Sequence, residues 1–237
     1  MLDTNMPTDR VVKEILPTAK TYKARQISRD YYSKLDSKKK GTFKEYSVTL
    51  TPNHSRLKLE CPWDPFRSLE ENKGARSDYL YTLWKAFIHL LSYSQDHNYK
   101  RPNKAKNRCF SFGTVEDRKR LGGAPTRPHI HALLALKADW YDNLKRDALH
   151  TRRDDDGVLK KFIKPCFLRS RGVYLFGGKR YLSDFISDIQ FEERNHDGTH
   201  LQFQVERYIT KQIRLNADDF ETSVPFTTGI KEHAKKQ

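Results

Sequence analysis

Two histidines, His129 and His131, stand one residue apart in the apolar run HIHALLAL. In a strand, residues i and i+2 project from the same face. Both imidazoles therefore emerge together, while Ile130, Ala132 and Leu134 face the other way into a core. That gives one metal ion two nitrogen ligands from three residues of strand. The pair alone is a weak signal, since packing also places histidines at this spacing. Its position in a buried strand straight after the turn-rich GGAPTRP strengthens it, because polar groups there need partners. The strand CFSFGTVED, 109–117, can pair antiparallel with 129–136 across the 118–128 connection and bring Glu116 beside the histidines. Two imidazoles and a carboxylate leave coordination positions for water or a phosphate oxygen. Such a set suits Mn²⁺ or Mg²⁺, and the imidazoles favour Mn²⁺. Asp117 is turned away by strand alternation and reads as a solvated turn residue.

A second group lies late in the chain, in ERYITKQ. On a helix, Tyr208 and Lys211 share a face. A tyrosine hydroxyl can attack phosphorus and hold the product as a phosphotyrosine, and a neighbouring lysine can steady the developing charge. Gln212, at i+4, shares that face and offers a carbonyl oxygen as an alternative third metal ligand. Taken alone, a Tyr…Lys pair on a helix is more often surface decoration. Tyr174 and Tyr181, which flank a GG turn, are the fallback nucleophiles. His200 and Gln202 lie too close to Tyr208 for a strand and connection, and read as polar turn and strand residues.

These side chains need a scaffold. EYSVTLT, 45–51, alternates and reads as a strand. SDYLYTLWKAFIHLLSYSQ, 77–95, repeats Leu80, Leu83, Trp84, Phe87, Leu90 and Leu91 at helical spacing, with Ser77 or Asp78 as cap. Residues 109–117 and 129–136 are strands, and 138–149 reads as a helix. HTRRDDDG, 150–157, reads as a charged loop, and a helix is expected around QVERYITKQI. Residues 158–168 and 174–190 are ambiguous, with VYLF and IQFEE leaning toward strand. The order suits a two-layer α+β fold with a central antiparallel sheet and flanking helices. Residues 1–40 read as a basic arm or peripheral helix, 41–215 as the main domain with an insertion around 138–190, and 216–237 as an irregular tail.

Composition narrows the partner. The chain has 237 residues, 45 Lys and Arg against 30 Asp and Glu, and a formal charge of +15, which suggests a polyanion. The basic residues recur along the chain, as SKKK before 41, five between 98 and 108 with no acid, DRKR at 117–120 and RSRG at 169–172. No run is apolar and long enough to span a membrane, the N-terminus lacks a secretory core, and no GxxxxGK[ST] loop occurs. Cys61, Cys109 and Cys166 form no CxxC pair, so a reducing, cytoplasmic setting is expected.

Taken together, EYSVTLT, then HIH inside RPHIHALLAL, then YITK near the C-terminus resemble the HUH endonucleases, particularly single-tyrosine rolling-circle replication initiator (Rep) proteins. The resemblance covers residues 43–214. It implies an HUH/RRM-like sheet, metal binding at His129 and His131 with Glu116 as third ligand, and attack on DNA by Tyr208 assisted by Lys211. Thr49, Leu50 and Thr51 match the family's first motif, whose role is mainly structural with some contact to DNA. The implied activity is metal-dependent nicking and joining of single-stranded or hairpin origin DNA. It leaves a 5′-phosphotyrosine and a free 3′-OH for a host polymerase, with unwinding by a separate helicase. Such a protein would be plasmid- or virus-encoded. Three features depart from the pattern: 76 residues between His131 and Tyr208, no helicase module, and a Tyr208…Gln212 spacing that also fits HUH transposases. A transposase or relaxase-like strand transferase is the alternative, and a non-catalytic nucleic-acid-binding protein the second.

Overall fold

The computed structural model describes residues 19–38, 42–101, 104, 108–118, 125–153, 157–193 and 225–228. In chain order the elements are α1 (Ala19–Asp36), β1 (Phe43–Pro52), α2 (His54–Glu60), α3 (Leu69–Gln95), β2 (Phe110–Arg118), β3 (Pro125–Lys137) and α4 (Ala138–Asp147). Then follow β4 (Leu149–Arg153), β5 (Leu159–Ile163), α5 (Pro165–Leu168), β6 (Val173–Leu175), β7 (Gly178–Arg180), a 3-10 turn (Leu182–Asp184), β8 (Ile186–Glu193) and β9 (Pro225–Thr228). Seven strands form one sheet in the order β4-β5-β8-β1-β3-β2-β9, and β6 and β7 form a separate hairpin. Every pairing in the large sheet is antiparallel. The fold is α+β, an antiparallel sheet flanked by helices, as the pattern of the sequence implies.

Strand alternation decides what each face of the sheet carries. Tyr46, Val48 and Leu50 of β1, Val115 of β2 and Ile130, Ala132, Leu134 and Leu136 of β3 are buried in one cluster with α3 and α4. Leu80, Leu83, Trp84, Phe87, Leu90 and Leu91 of α3 are all buried against that face, each contributing roughly 1.5–3 kcal/mol of burial. Trp84 Nε1 donates to Ser111 Oγ at 3.0 Å, which satisfies two buried polar groups. Tyr46 stacks on Tyr141 of α4 at 4.2 Å. Gly113 faces the same side. A Cβ there would come within 2.7 Å of Phe226 Cζ on β9 and of the His131 carbonyl, so the glycine makes room for the edge strand's aromatic ring.

The opposite face is covered at one end by α1. Ile27, Tyr31 and Tyr32 pack on Phe43, Phe110, Phe112, Leu133 and Ala135, with Tyr31 5.4 Å from Phe110 between ring centres. The basic N-terminal region therefore contributes a peripheral helix that closes part of the second face.

The structure moves several boundaries. α3 begins at Leu69, not at Ser77, because Ser68 and Glu71 form a reciprocal capping box. Ser77 lies inside the helix and is buried. The charged segment after 149 begins with a strand, β4, whose side chains suit an exposed sheet edge. Arg152 bridges to Asp188 at 2.7 Å and lies 3.8 Å from the Phe162 ring centre. The segment 138–190 supplies β4, β5 and the start of β8, which extend the main sheet beyond β1. The tail contains β9, an edge strand whose proline sits at its first residue, where no ladder donor is lost from the interior. The ambiguous 174–190 region resolves into a tight hairpin followed by β8. Its turn, Phe176–Gly177, has positive φ at both residues, 47° and 80°, the combination that matches strand twist in a two-residue turn. Phe176 is fixed there by stacking on Tyr79 at 4.8 Å.

Candidate metal centre

His129 and His131 lie on β3 and share the sheet face that α1 partly covers. The backbone partner of His129 on β2 is Glu116, and that of His131 is Thr114. On the other side, His131 pairs with Thr49 of β1. The apolar contacts of α1 reach Phe112 and Leu133. Two residues further along each strand come Thr114 and His131, then Glu116 and His129, so the polar group begins where those contacts end. Side-chain exposures of 22%, 19% and 25% for His129, His131 and Glu116 leave the group half-buried and open to solvent.

The three side chains converge. Glu116 Oε2 is 3.0 Å from His131 Nε2 and 3.7 Å from His129 Nε2. The two Nε2 atoms are 2.9 Å apart, and the rings meet edge to face. Ligands about 2.1 Å from one cation at right angles lie about 3.0 Å apart, so these separations match three positions of a single coordination sphere. Among the described residues, Glu116, His129 and His131 are the only group of three such side chains with ligand atoms this close. The donor set, two imidazoles and one carboxylate, suits a divalent cation of intermediate hardness.

Thr49 orients the centre. Its Oγ1 is 3.1 Å from His131 Nδ1. The tautomer with hydrogen on Nδ1 donates to Thr49 and leaves the Nε2 lone pair directed at Glu116 and His129. This is the outer hydrogen bond that metal-binding histidines commonly make. Sequence reasoning gave Thr49 a structural role with some DNA contact and missed this one. Alternation places Thr49 on the polar face of β1, but only the β1–β3 register puts it opposite His131.

The remaining candidates are placed differently. Tyr208, Lys211 and Gln212 lie outside the described residues, as do His200 and Gln202. Asp117 is in β2, one residue beyond Glu116. Tyr174 and Tyr181 are exposed at 79% and 44%, on and just after a hairpin that packs through Val173 and Leu175 into the α3 layer. The sheet separates that layer from the histidines, so the fallback tyrosines are not brought to the centre.

Comparison of the chain with protein-family models, with curated proteins and with solved structures finds no match. The chemistry of the site therefore rests on its own geometry. Two histidines, a carboxylate and an orienting threonine can hold one divalent cation and leave part of its sphere to an outside oxygen ligand.

Proposed function

We propose that this chain is a metal-dependent DNA nicking and joining enzyme of the HUH endonuclease class, acting as a replication initiator on single-stranded or hairpin origin DNA. The observation that carries the reading is the convergence of Glu116, His129 and His131 on adjacent central strands. The order of motifs in the chain and the charge of +15 also support it. Glu116 at 3.0 Å from His131 supplies a third ligand from within the sheet. That favours the initiator over the transposase reading, in which Gln212 would fill that position.

Mn²⁺ or Mg²⁺ bound by these residues would supply charge stabilisation and alignment for a scissile phosphate. His129, His131 and Glu116 hold the cation, and Thr49 fixes the ring of His131. Tyr208 is the proposed nucleophile. Its phenolic oxygen forms a bond to phosphorus, and the bond from phosphorus to the 3′ oxygen breaks. Loss of the phenolic proton is matched by protonation of the leaving 3′ oxygen. Lys211 steadies the negative charge on the phenolate or phosphate. Because the phosphodiester energy is kept in the phosphotyrosine, attack by a 3′-OH reverses the step and rejoins DNA. A host polymerase would extend the free 3′ end, and a separate helicase would unwind.

The decisive experiment incubates the protein with labelled single-stranded DNA pools and Mn²⁺ and resolves covalent adducts on a denaturing gel. The wild type is expected to form an adduct that Tyr208→Phe and chelation both abolish. An adduct that persists in Tyr208→Phe removes that tyrosine from the role. DNA binding with no adduct from any DNA pool would leave the non-catalytic reading.

A further inference from the structure

The metal centre leaves two basic stretches unexplained, 98–108 and 169–172. They are distant in sequence, yet Lys100 of the first and Arg171 of the second both act on the charge of His89 in α3, and Arg171 lies at the C-terminal end of that helix, on the face of the sheet opposite the histidines. A cavity of about 510 Å³ opens there, lined by Tyr93, Ser94 and His97 from one side and Ser170, Arg171 and Lys179 from the other.

The cavity carries two cations, Arg171 and Lys179, and the first is held on an aromatic ring. The Arg171 guanidinium lies 3.5 Å from the centre of the Tyr93 ring, and the His97 ring stacks on Tyr93 at 4.4 Å. A guanidinium held on an aromatic face keeps its planar fork of N–H donors in a set orientation. Gly172 gives Lys179 its path: a Cβ at 172 would come within 2.8 Å of Lys179 Cγ and Cε. Ser94 and Ser170 donate their hydroxyl hydrogens to the carbonyls of Leu91 and Phe167, both at 2.7 Å. The charged side chains are therefore the donors left for a ligand. Among the described residues, neither Arg171 nor Lys179 meets a carboxylate within 4.0 Å. Asp96, beside His97, is taken up by Lys104 at 3.2 Å and by the Asn98 N–H.

Residues 99–101 are tied to Arg108 and to α3. Arg108 donates to the carbonyls of Tyr99, Lys100 and Arg101, and the Tyr99 hydroxyl bonds His89. Burial first, and then the positive charge of both Lys100 and Arg171, hold the His89 imidazole below its ordinary range. The charges of Lys100 and Arg171 therefore overlap at His89. Residues 169–180 add Arg169 and Arg180 and contain no acid.

A guanidinium held in place and a second cation, neither met by a carboxylate of the described residues, call for an oxyanion in this concave site, and the arginine fork matches phosphate. The site is remote from the scissile position. Ser92 of α3 touches Cys109, and Cys109 is separated from Glu116 by most of β2, about 20 Å of strand, with the sheet between the two faces. We propose that this cavity is a second DNA contact, holding a backbone phosphate well away from the one being cut. The choice of DNA over another phosphate carrier rests on the DNA-processing reading; the phosphate site itself does not.

The experiment measures binding of the full chain to labelled DNA bearing a single-stranded region and a duplex flank, across a salt series. The proteins are the wild type and the Arg171→Gln/Lys179→Gln double variant. Both side chains are exposed, and thermal unfolding checks that the fold is kept. Expected is a loss of about tenfold in affinity and a salt slope shallower by about 1–2, with no change in sequence preference. Gly172→Ala, which displaces Lys179 without removing charge, should give part of that loss. Equal affinity and slope in wild type and double variant would overturn the proposal. So would calorimetric binding of inorganic phosphate that the double variant loses while DNA affinity stays unchanged, because the site would then serve a free phosphate. If no covalent adduct ever forms but the double variant loses DNA affinity, the nicking reading fails and this contact stands.

Discussion

The two faces of the sheet treat charge in opposite ways. On the histidine face, Glu116, His129, His131 and Thr49 satisfy one another within a few ångströms on three adjacent strands. On the α3 face, Arg171 and Lys179 stand at a cavity with no carboxylate of the described residues against them. The first arrangement places ligand atoms for a cation. The second leaves cations for an anion. The same sheet thus separates the candidate metal site from the basic cavity.

The sharpest way to break this contrast is at the histidines. His131→Ala removes one ligand and the atom that Thr49 orients, so Mn²⁺ affinity should fall by more than about 100-fold. Isothermal titration calorimetry reads this directly, and DNA affinity at low metal should change little. A comparable loss of DNA affinity in metal-free buffer would mean that the two faces are not independent.

The next test is structural. Gly113→Ala pushes a methyl group against Phe226, Ala132 and the His131 carbonyl. A loss of about 1–3 kcal/mol in urea unfolding is expected from overpacking. An unchanged midpoint would show that β9 does not pack as described. Thr49→Val then probes orientation alone. It keeps the strand and the shape but removes the partner of His131 Nδ1, and Mn²⁺ affinity should drop about tenfold. A drop no larger than a control at Thr51 would reduce Thr49 to a strand residue. The smallest effect is Asn53→Ala. Asn53 caps α2 by accepting from the Ser55 and Arg56 N–H groups. Its loss should cost about 1 kcal/mol of stability and leave both metal and DNA affinities at wild-type values once the protein is folded.

How far each face was legible in the sequence follows from the range of the interactions that make it. His129 and His131 are visible because strand alternation is local, and Glu116 follows from a hairpin between neighbouring strands. The helix face of Leu80, Leu83, Trp84 and Phe87 is equally local. Thr49 required the register between β1 and β3, which no nearby residue encodes. The β4 strand was hidden because an edge strand needs few apolar residues, so HTRR carries little strand signal. β9 was hidden because its partner Gly113 lies far back in the chain. The cavity shows the same limit: the basic run at 169–172 is plain as charge, but the seating of Arg171 on Tyr93 depends on the packing of α3 against the β6–β7 hairpin.

Glu116, His129 and His131 are proposed to form one divalent-cation site. Electron paramagnetic resonance of Mn²⁺ titrated into the wild-type protein and into the His129→Ala/His131→Ala variant tests it most directly. One tightly bound Mn²⁺ per chain, with hyperfine coupling to imidazole nitrogen that disappears in the double variant, is the predicted result. A stoichiometric site that persists in the variant, or the absence of nitrogen coupling in the wild type, would contradict the account.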